Sequence, residues 1–384
     1  MKTHDPPFLA RVADEDFEVE ELGGVEPAGE GEHLFLWIEK RGLTTDEATR
    51  RVALALGRRP SDAGHAGRKD RRAVTRQWIS VGGADARDAC ALEWPDLQVR
   101  RAVLHTRKLK PGMLRGNRFL LRLRSVDTEL WPRAERRLGD LAREGLPNAF
   151  GPQRFGAGGD GDALGLLLLQ RRFEEYVMAL CTTPRAPDTP AVAELGERLS
   201  TGRSLRSLAV LAPRLPAELA PLARQLARRA GDWAGAVRAL RRGLVLLHLS
   251  ALQARVFQDV LARRGPAPGP VEEGDIVCRH RPPSPFEQSA TGPIPGWKAS
   301  LAEGRPGEIE RAVLAEMGVD PQGFRKILPG CSPRGARRPL RVPLSALEVS
   351  GEGDRRTLSF ELPAGAFATT VLDELLNACG GEGR

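Results

Sequence analysis

The sequence predicts a mixed α/β fold built from both ends of the chain, with a mainly helical second domain inserted in its middle. Three observations carry that expectation. The chain has 384 residues, too many for one typical domain. Its first 150 residues carry strand-like runs separated by helices, and strand signals return after residue 340. Between about residues 164 and 264 the chain becomes Leu- and Ala-rich, with Arg spaced along it and prolines at the breaks, a helical pattern. An inserted domain explains that order, with both termini in the first domain.

The elements follow in turn. Phe17 and Val19 alternate with acids and 34–38 is a continuous apolar run, so residues 16–40 read as two strands turning at Gly29-Glu30-Gly31-Glu32. A helix is expected over about 45–56: Thr44 or Thr45 can cap it, Val52 and Leu56 share a face, and Gly57 ends it. A loop holding Asp70 leads into a strand at 74–81. Strands are also expected at 99–105 and 119–123, the latter alternating apolar and basic residues so that one face meets the core. Proline in the first turn and Gly145 past the end mark a helix over 132–143. After the helical stretch, 266–306 reads as loop, with Pro266-Ala267-Pro268-Gly269-Pro270 and Thr291-Gly292-Pro293-Ile294-Pro295-Gly296, and only 275–278 looks strand-like. Strands at 340–349 and 357–362 and a helix over 368–378 close the chain.

Charge narrows the function classes. Lys and Arg number 58 against 50 Asp and Glu, a net +8 that suits a polyanionic partner. Its distribution says more. No acid lies between Asp96 and Asp127, an interval holding Arg100, Arg101, Arg107, Lys108, Lys110, Arg115, Arg118, Arg122 and Arg124. A second acid-free interval, from Asp320 to Glu348, holds Arg325, Lys326, Arg334, Arg337, Arg338 and Arg341. A charge run is usually a solvated face, but two long unbalanced runs favour nucleic acid. The five cysteines (Cys90, Cys181, Cys278, Cys331, Cys379) are far apart and the six histidines scattered, so no metal site is expected and the thiols fit a reducing compartment. The start of the chain lacks the apolar core of a signal peptide, and the richest apolar run, 243–252, is short and contains His248. A soluble, cytoplasmic protein is expected.

Two segments stand out for chemistry. Residues 66–77 place Asp70 among Arg68, Lys69, Arg71, Arg72 and Arg76. Such cations favour an anionic carboxylate, which can serve as a nucleophile, and they suit a phosphate-bearing substrate; the plain alternative is a salt-bridged loop aspartate. Residues 148–156 combine Asn148, Phe150, Arg154 and Phe155 in one sharply turning loop. They can form a surface for an unstacked base, or two rings that anchor the loop to the core. The Gly-rich run 156–162 lacks the Gly-Lys-Ser/Thr ending of a phosphate loop and reads as a turn.

In these segments the chain resembles the TruD family of tRNA pseudouridine synthases. So do Asp16-Phe17-Glu18-Val19-Glu20, Gly29-Glu30-Gly31-Glu32-His33, the stretch from His105 through Gly116-Asn117, and residues 362–369; the matches lie in order along nearly the whole chain. The resemblance implies a largely antiparallel sheet with flanking helices in a catalytic domain (1–173 and 341–384), an inserted mainly helical domain (174–340), and a V-shaped pair with a basic cleft. It implies conversion of uridine 13 of tRNA to pseudouridine without a cofactor. Asp70 would be the nucleophile; Phe17, Asn148, Phe150 and Phe367 would form the uridine pocket; Lys69, Arg11, Gln153 and Arg154 would support them. Arg11 stands where the family tends to have a lysine, and Ala149 where an aromatic is common. The partner would be tRNA, with no membrane and no obligate protein partner, and the enzyme a monomer. A non-catalytic RNA-binding protein is the competing class.

Overall fold

The computed structural model describes residues 6–156, 158–182, 189–201, 205–265, 271–281 and 284–380. Pro266–Pro270, read above as a loop marker, and Ala157 of the Gly-rich run lie outside them. The chain forms two compact units. One comprises Met1–Leu146, His280–Glu287 and Val342–Arg384; the other comprises Pro147–Arg279 and Gln288–Arg341. The compact division thus falls at 146/147, where the sequence expectation put the join at 173/174.

In chain order the first segment holds β1 (Leu9–Ala10), β2 (Phe17–Gly23), β3 (His33–Arg41), α1 (Thr45–Ala55), β4 (Ala63–His65), β5 (Val74–Gly82), α2 (Ala86–Cys90), β6 (Glu93–Trp94), β7 (Leu97–His105), β8 (Leu114–Arg124) and α3 (Trp131–Glu144). The middle holds β9 (Leu146–Pro147), α4 (Gly161–Leu169), α5 (Phe173–Thr182), α6 (Pro190–Ser200), α7 (Leu208–Leu211), α8 (Ala220–Arg228), α9 (Trp233–Ala239), α10 (Arg242–Arg263), β10 (Val277–Arg279), β11 (Gln288–Ile294), α11 (Gly304–Glu316) and β12 (Ala336–Pro339). The end holds β13 (Arg341–Val342), β14 (Ser345–Ser350), β15 (Arg356–Pro363) and α12 (Ala368–Ala378).

The first unit is organised by one mixed sheet in the order β14-β15-β8-β2-β5-β3-β7-β6, with β1 added beside β8 and β4 beside β5. All its pairings are antiparallel except β2 with β5, where Glu18 faces Val74 and Glu20 faces Arg76. The period-2 pattern decides which side chains go in. Leu34, Leu36 and Ile38 of β3 pack with Ile79 and Val81 under Val52 of α1. Phe17, Val19, Phe119, Leu121 and Phe360 pack under α3 and α12 through Leu138, Leu141, Val371 and Leu375. Thr44 is the residue that caps α1, in a reciprocal capping box with Glu47. Thr45 is left for another task. Gly116 is required where β8 meets β15, because a Cβ there would lie 2.2 Å from the Leu362 carbonyl oxygen.

The second unit is mainly helical around α10, whose Val245, Leu249, Leu252, Val256 and Phe257 are buried among α4, α5, α8 and α9. The sequence reading ended the apolar run at 252. The helix continues to Arg263 and is long and apolar enough to cross a membrane, but it is mostly buried in the core of its own unit. A correction concerns 288–294: the Gly-Pro marks read as loop, yet this is the central strand of a β10-β11-β12 sheet. Gly292 fits there because a Cβ would lie 2.8–3.1 Å from Leu340 and Phe257 side-chain atoms, so close packing, not turning, explains the glycine. Helix α11, in the remainder of the insert, also went unread.

Candidate functional site

Asp70 lies in the short connection between β4 and β5, and the loop is held by its main chain. The Lys69 N–H donates to Thr45 Oγ1 at 2.9 Å, and the Thr45 hydroxyl donates to Gln77 Oε1 at 2.8 Å. The same Gln77 amide donates from Nε2 to the Gly67 carbonyl at 3.0 Å. Gly112 N–H donates to the Ala66 carbonyl at 2.8 Å. Lys40, 1% exposed, points its ammonium under the loop and donates to the Leu43 carbonyl at 2.6 Å and the Asp70 carbonyl at 2.9 Å. Burial is the main cause that pulls Lys40 down to about 8, helped by the charge of Lys69 and opposed by Asp70, Glu47 and Asp14.

The five cations that frame Asp70 in sequence mostly look elsewhere. Arg68 pairs with Asp46 at 3.1 Å, Arg71 with Glu47, and Arg76 with Glu39 at 2.6 Å. Lys69 turns inward to Glu21, Nζ to Oε2 2.8 Å, with side chains 3% and 1% exposed. The cation that does reach the carboxylate is Arg11, whose Nη2 lies 3.3 Å from Asp70 Oδ1 and 3.4 Å from the Arg72 carbonyl. Arg11 holds a φ of +59°, a costly conformation for a residue with a Cβ. Its guanidinium also covers the Phe17 ring at 4.3 Å. The Asp70 side chain keeps 39% exposure.

The remaining expected residues fall into place as follows. Phe17 is 3% exposed and stacks on Phe119 at 6.1 Å, so its ring belongs to the core and meets the site through Arg11. Phe367, just before α12, is 41% exposed, one of few large apolar side chains at the surface. In the second unit Asn148 is buried. Its N–H donates to the Leu340 carbonyl at 2.8 Å and its Nδ2 to the Pro339 carbonyl at 2.9 Å. Arg338 donates from Nε to the Asn148 carbonyl at 3.1 Å and from Nη2 to Asn148 Oδ1. The side-chain amide retains one N–H and one lone pair beyond these bonds. Phe150 is half-buried, edge-on to Phe257 at 5.6 Å, with Arg338 at 4.2 Å and Arg154 at 5.3 Å from its ring. Gln153 and Arg154 lie exposed on the 3-10 turn Pro152–Phe155, while Phe155 is buried under Arg255. Burial, with Arg154 nearby, pulls Arg338 down to about 10.

Asp70, Arg11 and Phe17 are thus assembled in one unit, with Lys69 turned away beneath them, and Asn148, Phe150 and Arg154 in the other. Lys40, Glu21 and Gln77 escaped the sequence reading, which took Thr45 only as a possible cap and Arg338 only as part of a basic run. For two of them a signal existed. Lys40 stands at the inward register of Leu34, Leu36 and Ile38, and Glu21 at that of Phe17 and Val19, where a charge needs a buried partner.

The acid-free runs also divide. On the sheet surface Arg100 pairs with Glu39, Arg118 with Glu361, Arg122 with Glu18 and Arg124 with Asp16. In the second run Arg337 pairs with the buried Glu310. Among the described residues, Arg107, Lys108, Lys110 and Arg115 at the β7–β8 turn, and Arg325, Lys326 and Arg334 in the other unit, make no ion pair with a carboxylate.

The sequence profile of the family described as tRNA pseudouridine synthase D (TruD) matches residues 9–375. A protein of Geobacter metallireducens named tRNA pseudouridine synthase D is 38% identical over 378 residues, covering 94% of this chain and 93% of its own. A similarly named protein of Anaeromyxobacter dehalogenans (strain 2CP-C) is 37% identical, covering 96% and 92%. A solved structure from Methanosarcina mazei, presented as a candidate tRNA pseudouridine synthase D, superposes with a TM-score of 0.77 at 26% identity, covering 98% of this chain and 95% of that one.

Proposed function

The chain belongs to the tRNA pseudouridine synthase D family, and on that premise we propose that it converts uridine 13 of tRNA to pseudouridine with Asp70 as nucleophile. Membership carries the coarser statement, isomerisation of uridine in tRNA; the position and the residue roles are our reading. The observation that carries the reading is Asp70 itself. It is an accessible carboxylate on a loop tied down through its main chain, with an arginine in a strained conformation at one oxygen.

The reaction breaks the bond from N1 to C1′, turns the base and rejoins it through C5. C5 gives up a proton, N1 gains one, and the composition is unchanged. Asp70 adds either to C6 of the base or to C1′ of the ribose, and each attack needs an exposed carboxylate oxygen. Bringing the base out of its stack costs a few kcal/mol, and aromatic stacking returns about 1–3 kcal/mol per base. Phe17, Asn148, Phe150 and Phe367 are the proposed uridine-binding residues. Phe17 acts by seating Arg11, and Asn148 through its remaining amide capacity. Lys69, Arg11, Gln153 and Arg154 are the supporting set. Residues 1–173 and 341–384 are assigned as catalytic domain and 174–340 as insert, in a monomeric cytoplasmic enzyme. The test is incubation of unmodified tRNA with the protein alone. An isomer of unchanged mass at position 13 is expected; binding without isomerisation would leave an RNA-binding protein that is not an enzyme.

Lys40 gives a second test. Lys40→Met keeps the volume but removes the ammonium that holds the Asp70 carbonyl. Turnover should fall about 10²-fold with KM little changed, the scale of a misplaced reacting group. In the wild type the protonated form, present below about 8, holds the loop, so the rate should fall as pH rises past that value, and this limb should vanish in the variant. Stability moves oppositely. Free lysine titrates at 10.5, so the cost of burying the charge is relieved as pH rises from about 8 to 10.5. A pH–rate profile beside urea unfolding measures both.

A further inference from the structure

The second unit carries a basic pocket that the proposed chemistry does not use. Its open cavity of about 310 Å³ is lined by Arg171, Arg238, Arg325, Lys326, Phe173 and residues 327–329 among others, with four cations and no carboxylate. All four cations are exposed. Arg238 alone has an acid near, Asp232 at 3.9 Å. Arg171 holds a φ of +58° in the turn between α4 and α5, and its Nη1 donates to the Lys326 carbonyl at 3.2 Å, which binds the two sides of the pocket together. The cation cluster continues past the rim. Arg325 also lies 5.2 Å from the ring of Trp297, which gathers Lys298 at 4.8 Å and Arg334 at 5.9 Å. One aromatic ring thereby holds three like charges close together, offsetting part of their mutual repulsion. Apart from Arg238, none of these exposed cations has a paired acid among the described residues, and such a density of like charge is costly unless an anion covers it.

We propose that this pocket is a phosphodiester-binding site that grips the RNA backbone, with Arg171, Arg325 and Lys326 on phosphate oxygens. The inference rests on the reading of tRNA as substrate and adds where the insert holds it. Phosphate contacts position an RNA without reading its sequence, which suits a pocket built of guanidinium and ammonium groups with no amide or carboxylate to read base edges.

The experiment is binding of unmodified tRNA across a salt series, for the wild type, Arg325→Gln/Lys326→Gln, and Arg263→Gln as a control whose charge Glu316 already neutralises. Two lost phosphate contacts should flatten the slope of log affinity against log salt by about 1.4–1.8. They should also raise KM while leaving kcat at saturating tRNA unchanged. The control should keep the wild-type slope. An unchanged slope in the double variant, or equal flattening in the control, overturns the pocket, as does a polyglutamate probe displaced by the double substitution while the tRNA slope persists. The two readings fail separately: a flattened slope with no isomer formed sinks the enzymatic assignment alone, and isomer formed with an unchanged slope sinks the pocket alone.

Discussion

Asp70→Asn should abolish pseudouridine formation while tRNA affinity and thermal unfolding stay at wild-type values. The amide keeps the size and planarity of the carboxylate but cannot add to a nucleoside. The loss should be on the order of 10⁴-fold or more in turnover, as when other nucleophiles are removed. The fold has little reason to respond. Asp70 is held through its carbonyl by Lys40, and neighbouring Gly67 and Lys69 are held by Gln77 and Thr45, none of which involves the Asp70 carboxylate. The lost Arg11 contact is a partly exposed pair at 3.3 Å, worth about 0–1 kcal/mol. Turnover within tenfold of the wild type, measured by counting pseudouridine in single-turnover reactions, would rule out the nucleophile.

The second large effect is on stability. Lys69→Met leaves Glu21 buried without its cation, and breaking such a pair costs about 3–5 kcal/mol, a large share of the 5–15 kcal/mol typical of a domain. Burial already raises Glu21 above its ordinary 4.5 despite the pull of Lys69. Without the lysine it should rise further, so the carboxylate takes up a proton in the folded state at a pH where the unfolded chain does not. The deficit should therefore be full near neutral pH and shrink as pH falls and Glu21 takes up its proton in the folded state of both proteins; only below 4.5 is Glu21 neutral in the unfolded chain as well. Adding Glu21→Gln should restore much of the loss. An unfolding free energy from urea titration within about 1 kcal/mol of the wild type at neutral pH would contradict the account.

What the sequence made legible follows from the range of each interaction. Local signals placed α1, α3 and α12 within a residue or so, because capping, proline position and apolar spacing act over one or two turns. Strands of the first unit were found where alternation was clean, as in β2 and β8, or where the run was continuously apolar, as in β3. The loop mark at 291–296 misled because Gly292 answers to Phe257 and Leu340, which are distant in sequence. The site shows the same limit. Residues 66–77 announced Asp70, yet its charge partner, Arg11, is 59 residues away, and the nearby cations proved to serve Asp46, Glu47, Glu39 and Glu21. No count of neighbouring charges could have assigned those pairs, whereas the inward register of Lys40 and Glu21 could have flagged two of the buried supports.

Strand β8 carries a consequence for synthesis. One of its sides is covered by β2, already made, but the other is completed by β15; Arg118 and its partner Glu361 are 243 residues apart. A nascent chain must therefore hold that edge open while the whole insert leaves the ribosome, a template onto which another copy could add. Arg118, whose partner Glu361 comes only with the late strand, would leave a positive charge on that edge and help keep two such edges apart in the interval.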